Sequence, residues 1–264
     1  MHQADHQAAQ TINGLGLLTL YLREVRRFMK VPGQTLLAPV VTSMLFLAVF
    51  SLALGRAVDL MEGVPFLMFL APGLAMMAIL QNAFANTSSS LIIAKVQGNI
   101  IDTLMPPLSA FELLVGFGLG AVTRGLVVGL VTLVAMQFFV NVVPVHLWAV
   151  LFYGVAGSMM MGLIGLLVGI WAEKFDQIAA LTNFVVTPLT FLSGTFYSID
   201  RLPDVLRGIA AVNPFFYAID GFRYGFIDRA DAPLLTGALV LISTNLVLAL
   251  LCYRLLATGW RLKS

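Results

Sequence analysis

Charge is scarce in this chain. Of its 264 residues 11% are Asp, Glu, Lys or Arg, against 59% hydrophobic, too little polar surface to wrap a water-soluble globule of this size. With a mean hydropathy of +0.94, the composition reads as an integral membrane protein. Cysteine is nearly absent. Cys252 stands alone in an apolar run, so no intramolecular disulfide can form. His2, His6 and His146 are too scattered for a metal cage. None of the four lysines follows a glycine, which removes the Gly-Lys-Ser/Thr element of a phosphate-cradling loop and with it that route to ATP hydrolysis. Neither HExxH nor GxSxG occurs, and Asp220-Gly221 reads as a turn without further spaced carboxylates, so no enzyme is expected. A net charge of +2 gives no footprint for nucleic acid. The amino-terminal residues are polar and lack an apolar stretch with a small-residue cleavage site, so no cleaved signal peptide is expected.

What the chain does have is length in its apolar runs. A helix needs ~20 mainly apolar residues to cross a ~30 Å hydrocarbon core. Six runs qualify: Leu36–Leu54, Phe66–Ala85, Leu113–Phe139, Leu147–Ala172, Ile178–Tyr197 and Leu234–Leu256. The expected fold is an all-α membrane protein, one domain over residues 1–264, with six transmembrane helices. Lysine and arginine set its orientation. With the amino terminus in the cytoplasm, that side holds Arg23, Arg26, Arg27, Lys30, Lys95, Lys174, Arg254, Arg261 and Lys263, while Arg56, Arg201, Arg207, Arg223 and Arg229 lie outside. Both termini are then cytoplasmic.

Before the first span, "LLTLYLREVRRFMK" puts Leu18, Tyr21, Leu22, Val25, Phe28 and Met29 on one helical face and Arg23, Arg26, Arg27 and Lys30 on another. Residues 15–30 are expected as an amphipathic interfacial helix on membrane lipids, either a plain anchor or a contact for a cytoplasmic partner. Arg124 is the one candidate for a deep charge. The apolar run after it is long enough to cross, so Arg124 is placed at the cytoplasmic surface, with Glu112 projecting beyond it. The pairs Gly116/Gly120, Gly125/Gly129 and Gly165/Gly169 read as close helix packing within one subunit rather than a dimer contact. Met159-Met160-Met161 reads as adaptable packing. Between spans two and three, residues 91–103 read as a short cytoplasmic helix ended by Pro106-Pro107.

The stretch "TPLTFLSGTFYSIDRLPDVLRGIAAVNPFFYAIDGFR" breaks at Ser193-Gly194, turns charged and becomes aromatic again. Its later pieces, about Leu202 to Ile209 and Phe215 to Phe226, are each too short to cross. Residues 198–231 are therefore expected as an external re-entrant helical hairpin, hinged at Asn213-Pro214 and buried against the bundle, able to gate an exit.

These residues resemble the ABC-2 family of ATP-binding-cassette transporter permeases, most nearly its bacterial inner-membrane YadH/NodJ type. The resemblance is carried by Pro188, Phe191-Leu192-Ser193-Gly194, Phe196-Tyr197, Leu202-Pro203, Asn213-Pro214 and Gly221-Phe222-Arg223, and by "EVRRFMKVPGQTLLAPVVT", "LAPGLAMM", "NAFANTSSS" and "DGFRYGF". It implies a half-transporter in the bacterial inner membrane: two permease copies, a homodimer, with two ATP-binding-cassette ATPase subunits that bind ATP and Mg, and no cofactor in this chain. It implies ATPase contacts at Arg23, Arg26, Arg27, Lys30, Lys95, Gln97, Gly98, Asn99 and Asp102, the helix of residues 91–103 being the coupling helix. Lys174, in the short turn after span four, faces the same side and adds a contact. The external gate takes in Ser193, Gly194, Leu202, Pro203, Leu206, Asn213, Pro214, Phe216 and Arg223. The expected function is export of an amphipathic or lipid-linked substrate, with drug efflux, or an ATP-independent membrane scaffold, as alternatives.

Overall fold

A computed structural model describes residues 13–54, 60–61, 63–100, 108–199, 203, 207–208, 210 and 212–261. Three expected site residues, Asp102, Leu202 and Leu206, lie outside the described residues.

Helix α1 (Gly14–Met29) starts at Asn13, whose side chain accepts from the Gly16 amide and so satisfies one of the free donors of the first turn. A π-helical turn (Gly33–Leu37) leads into α2 (Ala38–Leu54). Two short antiparallel strands, β1 (Leu60–Met61) and β2 (Val64–Pro65), pair Leu60 with Pro65 and Met61 with Val64. Then come α3 (Phe66–Val96), α4 (Ala110–Met136) and α5 (Leu147–Trp171). The next run is continuous from 175 to 191 in three pieces: α6 (Phe175–Leu181), a π-turn (Thr182–Val186) and α7 (Thr187–Phe191). Helices α8 (Pro214–Ile227) and α9 (Leu234–Thr258) follow.

Among the described residues five helical runs are long and apolar enough to cross a membrane: Gly33–Ala53, α3, α4, α5 and α9. In α3, 83% of the most apolar window is buried, against 11% in Gly33–Ala53 and in α9. Helix α3 is therefore the central post, and α2 and α9 are peripheral. The fully buried Phe69, Leu70, Leu74, Met76 and Leu80 are its core contribution.

The structure departs from the sequence reading at several points. Residues 91–96 do not begin a separate helix but are the last turns of α3. The Ser88 and Ser89 hydroxyls bond back to the carbonyls of Phe84 and Ala85 four residues earlier, so the serines ride on the helix instead of ending it. The break comes at Gly98, at φ +72°, where glycine carries no Cβ penalty. The expected fifth span, Ile178–Tyr197, is helical only from Phe175 to Phe191 and ends in a turn at residues 192–194. Asp220-Gly221 is not a turn: both residues lie buried inside α8.

Candidate functional site

Polar side chains collect at the two ends of the molecule. At one end, called basic here, α1 lies on the first turns of α4, and its buried residues are Leu20, Glu24 and Phe28. This face differs from the apolar face read from the sequence: Leu18 and Met29 are half exposed. At about 100° per residue, α1 presents three faces, one to the protein, one of exposed aliphatics and one of cations. Gly116 and Gly120 make the protein seat possible. A Cβ on Gly116 would stand 2.5 Å from a Leu20 methyl carbon, and one on Gly120 2.8 Å from the Glu24 Cβ. A Cβ on Gly165 would meet the Phe84 carbonyl oxygen of α3 at 2.4 Å. These small residues serve helix packing within the chain, and Met160 and Met161 are likewise fully buried.

Glu24 was not singled out in the sequence, yet it is fully buried. Its carboxylate accepts from the Ser90 hydroxyl at 2.8 Å and from the Arg27 and Arg23 guanidiniums at 3.0 and 3.2 Å. Arg27 also donates to the Ser89 hydroxyl at 3.0 Å, and to the carbonyl and side-chain oxygens of Asn86 at 2.6 and 3.1 Å. Arg27 is thus turned inward. Arg124 likewise does not reach freely outward, because its guanidinium donates to the Asn82 side chain at 3.1 Å. Glu112, expected to project outward, is 3% exposed. It closes a capping box with Ser109 at the start of α4 and accepts from the Asn13 amide, which ties the start of α1 to the start of α4. Glu24 was hidden because it is one acid among four cations. The signal that could have found it is its place between Leu20 and Phe28 at four-residue spacing.

Around this network opens a groove of about 610 Å³, lined by Thr19, Arg23, Arg26, Arg27, Lys30, Ser90, Ile93, Ala94, Gln97 and Asn99. It brings together six of the ten residues expected at the ATPase contact. Arg26, Lys30, Gln97, Gly98 and Asn99 are exposed. Lys95 points elsewhere: its ammonium donates to the carbonyls of Ile170 and Ala172 at 2.5 and 3.0 Å. With Arg261, which donates to the Trp171 carbonyl at 3.0 Å, it caps the carboxyl end of α5, where cations suit the helix dipole. Lys174 is exposed in the next turn.

The opposite end is a knot of hydrogen bonds around α8. Asn213 caps the helix by accepting from the Phe215 amide at 3.1 Å, with Pro214 in the first turn. Its side-chain amide donates to the Ser193 hydroxyl at 2.9 Å. Arg223, 2% exposed, sits 3.7 Å above the Phe69 ring and donates to the carbonyls of Gly194 and Thr195. Asp220 accepts from the amides of Asp231 and Ala232 at 2.9 and 3.1 Å. Asp231 in turn accepts from Ser198 and from the Ile199 amide at 3.0 and 2.9 Å. At the other end of α8, Asp228 lies 2.7 Å from the His146 imidazole, whose hydrogen bond holds that carboxyl below its usual range. Of the expected gate residues, Ser193, Gly194, Asn213 and Arg223 meet in this knot. Phe216 is buried beside it and Pro203 is exposed. Asp220 and Asp231 are structural ties.

A family model described as ABC-2 type transporter matches residues 16–227, from α1 to the end of α8. The chain is 38% identical over 251 residues to the inner membrane transport permease YadH of Escherichia coli K12, covering 95% of this chain and 98% of that protein. It is 26% identical over 220 residues to nodulation protein J of Rhizobium leguminosarum bv. viciae, covering 80% and 82%, and 22% identical over 225 residues to nodulation protein J of Rhizobium meliloti, covering 82% and 83%. The family match takes in the basic groove and the whole of α8, and the chain belongs to the ABC-2 type transporter family as a membrane permease.

Proposed function

We propose that the chain is the membrane subunit of an ATP-driven exporter in the bacterial inner membrane, powered by a separate ATP-binding-cassette ATPase that docks on the basic groove. The observation that carries this reading is the groove between α1 and the end of α3, with exposed Arg26 and Lys30 on one wall and exposed Gln97 and Asn99 on the other. Such a surface suits an acidic, hydrogen-bonding partner. ATP and Mg belong to that partner, and this chain supplies force transmission and a path. The groove end is cytoplasmic, in line with the lysine and arginine excess there. Two permease copies pair through lightly buried outer helices, and two ATPase subunits complete the assembly. The knot around α8 closes the outer end of the path, and the substrate is amphipathic or lipid-linked.

Because Arg27 and Lys95 are held inside the chain, the test belongs to their exposed neighbours. Replacing Arg26 and Lys30 together with glutamate should weaken capture of the ATPase subunit about tenfold or more while membrane insertion stays intact. Undiminished co-purification of the ATPase with this double variant would refute the docking site.

A further inference from the structure

The two walls of the basic groove are carried by different helices. Helix α1 is seated on α4 through Leu20 against Gly116 and Glu24 against Gly120, and its start is tied to α4 through Asn13 and Glu112. The other wall is the end of α3. What joins α1 to α3 is polar: Glu24 to Ser90, and Arg27 to Ser89 and Asn86. Glu24 is the centre of this tie, since it also holds Arg27, and Arg27 has no other carboxylate partner among the described residues. Arg124 lies close enough to interact electrostatically with both Glu24 and Arg27. Three buried donors, Arg27 Nε, Asn86 Nδ2 and Arg124 Nε, have no acceptor among the described residues. Among the described residues Glu24 is the carboxylate that pairs with Arg23 and Arg27, and it carries the attraction in this cluster.

We propose that Glu24 is a positioning residue that sets the distance between α1 and the end of α3, and so the width of the basic groove. It faces inward and touches no partner itself. It orients Arg23 and Arg27 and fixes the wall that carries Arg26 and Lys30. This rests on the docking reading only for its consequence, because the groove width is a property of the permease alone.

The test uses the full chain in lipid nanodiscs, with spin labels at Leu18 and Val96, both exposed, read by pulsed electron-electron distance measurement. The parent should give one narrow distribution. Glu24→Gln should give a longer and broader one, Glu24→Asp an intermediate one, and Ser90→Ala, a milder change that keeps the ion pair, a small broadening. Melting is followed in parallel. A purely structural role would lower the melting temperature of Glu24→Gln and leave the distance of the folded fraction unchanged, and that result overturns the proposal. Should Glu24→Gln fail to fold, Ser90→Ala decides: an unchanged distribution there overturns it. With ATPase added, Glu24→Gln should bind about tenfold more weakly. If the parent binds no ATPase, the docking reading fails while the distance measurement still decides the role of Glu24.

Discussion

A single buried cation shows how an apolar chain handles charge. Arg223 makes use of both faces of its chemistry: the flat guanidinium lies on Phe69, and its N–H groups reach the carbonyls of Gly194 and Thr195. Those carbonyls sit in a turn, with Gly194 at φ +75°, and no helix or strand would satisfy them. Lysine has one point charge and no plane, so Arg223→Lys should keep the charge and lose the flat contact with Phe69. We expect a loss of about 1–3 kcal/mol, read as a lower melting temperature in detergent together with faster proteolysis in the 192–199 turn. An unchanged melting temperature and cleavage rate would show that the turn holds itself. The family resemblance grouped Arg223 with Ser193, Gly194 and Asn213 in the sequence, while the break and the Asn-Pro signal marked only the segment. It could not place Glu24. Burial of an acid among arginines depends on which helix lies opposite, and a one-dimensional reading assigns such a residue to solvent.

At the level of elements, the apolar runs made five long helices legible, since length and hydropathy suffice when the backbone must satisfy itself. Their limits were less legible. The serines at 88–90 look like a helix end in sequence, but Ser88 and Ser89 turn their hydroxyls back to preceding carbonyls and α3 continues to Val96. The amphipathic helix was legible as a helix, but its orientation was not, because two apolar stripes, one for protein and one exposed, compete on the same cylinder. The glycines of α4 resolve that choice. Gly120→Val adds bulk where a Cβ alone would already meet Glu24 at 2.8 Å, so α1 should lift from its seat at a cost of about 1–3 kcal/mol. The check is a cysteine at Phe28, 2% exposed in the native packing. It should react slowly with a maleimide in the parent background and rapidly beside Gly120→Val. Gly33→Ala, where a Cβ meets nothing within 4 Å, is the control and should leave the rate unchanged. Equal rates in all three would mean that α1 is held by its polar ties alone.

For the whole molecule, the decisive quantity is the parity of crossings. Helix α1 is bonded to Ser89 and Ser90 near the end of α3, and Arg261 is bonded to Trp171 at the end of α5, where Lys95 also docks. The first and last described segments therefore lie at the same end, which requires an even number of passes, whereas five helical runs among the described residues are long enough to cross. We propose that the missing pass is the run from 175 to 191. At about 1.5 Å per residue it spans about 25 Å, short of the ~30 Å hydrocarbon core. The chain then continues as turn, with Ser193, Gly194, Thr195 and Phe196 buried, and its carbonyls at Gly194 and Thr195 take hydrogen bonds from Arg223. Backbone of this kind is tolerated at membrane depth only when protein satisfies it, and on this proposal the arginine would let a short helix complete a crossing. Six crossings with the basic end in the cytoplasm put Lys174 inside and Pro203 outside, both exposed in the fold. A cysteine at Lys174 should then react with an impermeant maleimide only in inside-out vesicles, and one at Pro203 only in spheroplasts, while the native Cys252 is fully buried and gives little background. Labelling of both positions from one side would make the 175–191 run a re-entrant element and the number of passes between Lys174 and Pro203 even, and the outer-end role assigned to the knot around α8 would fall with it.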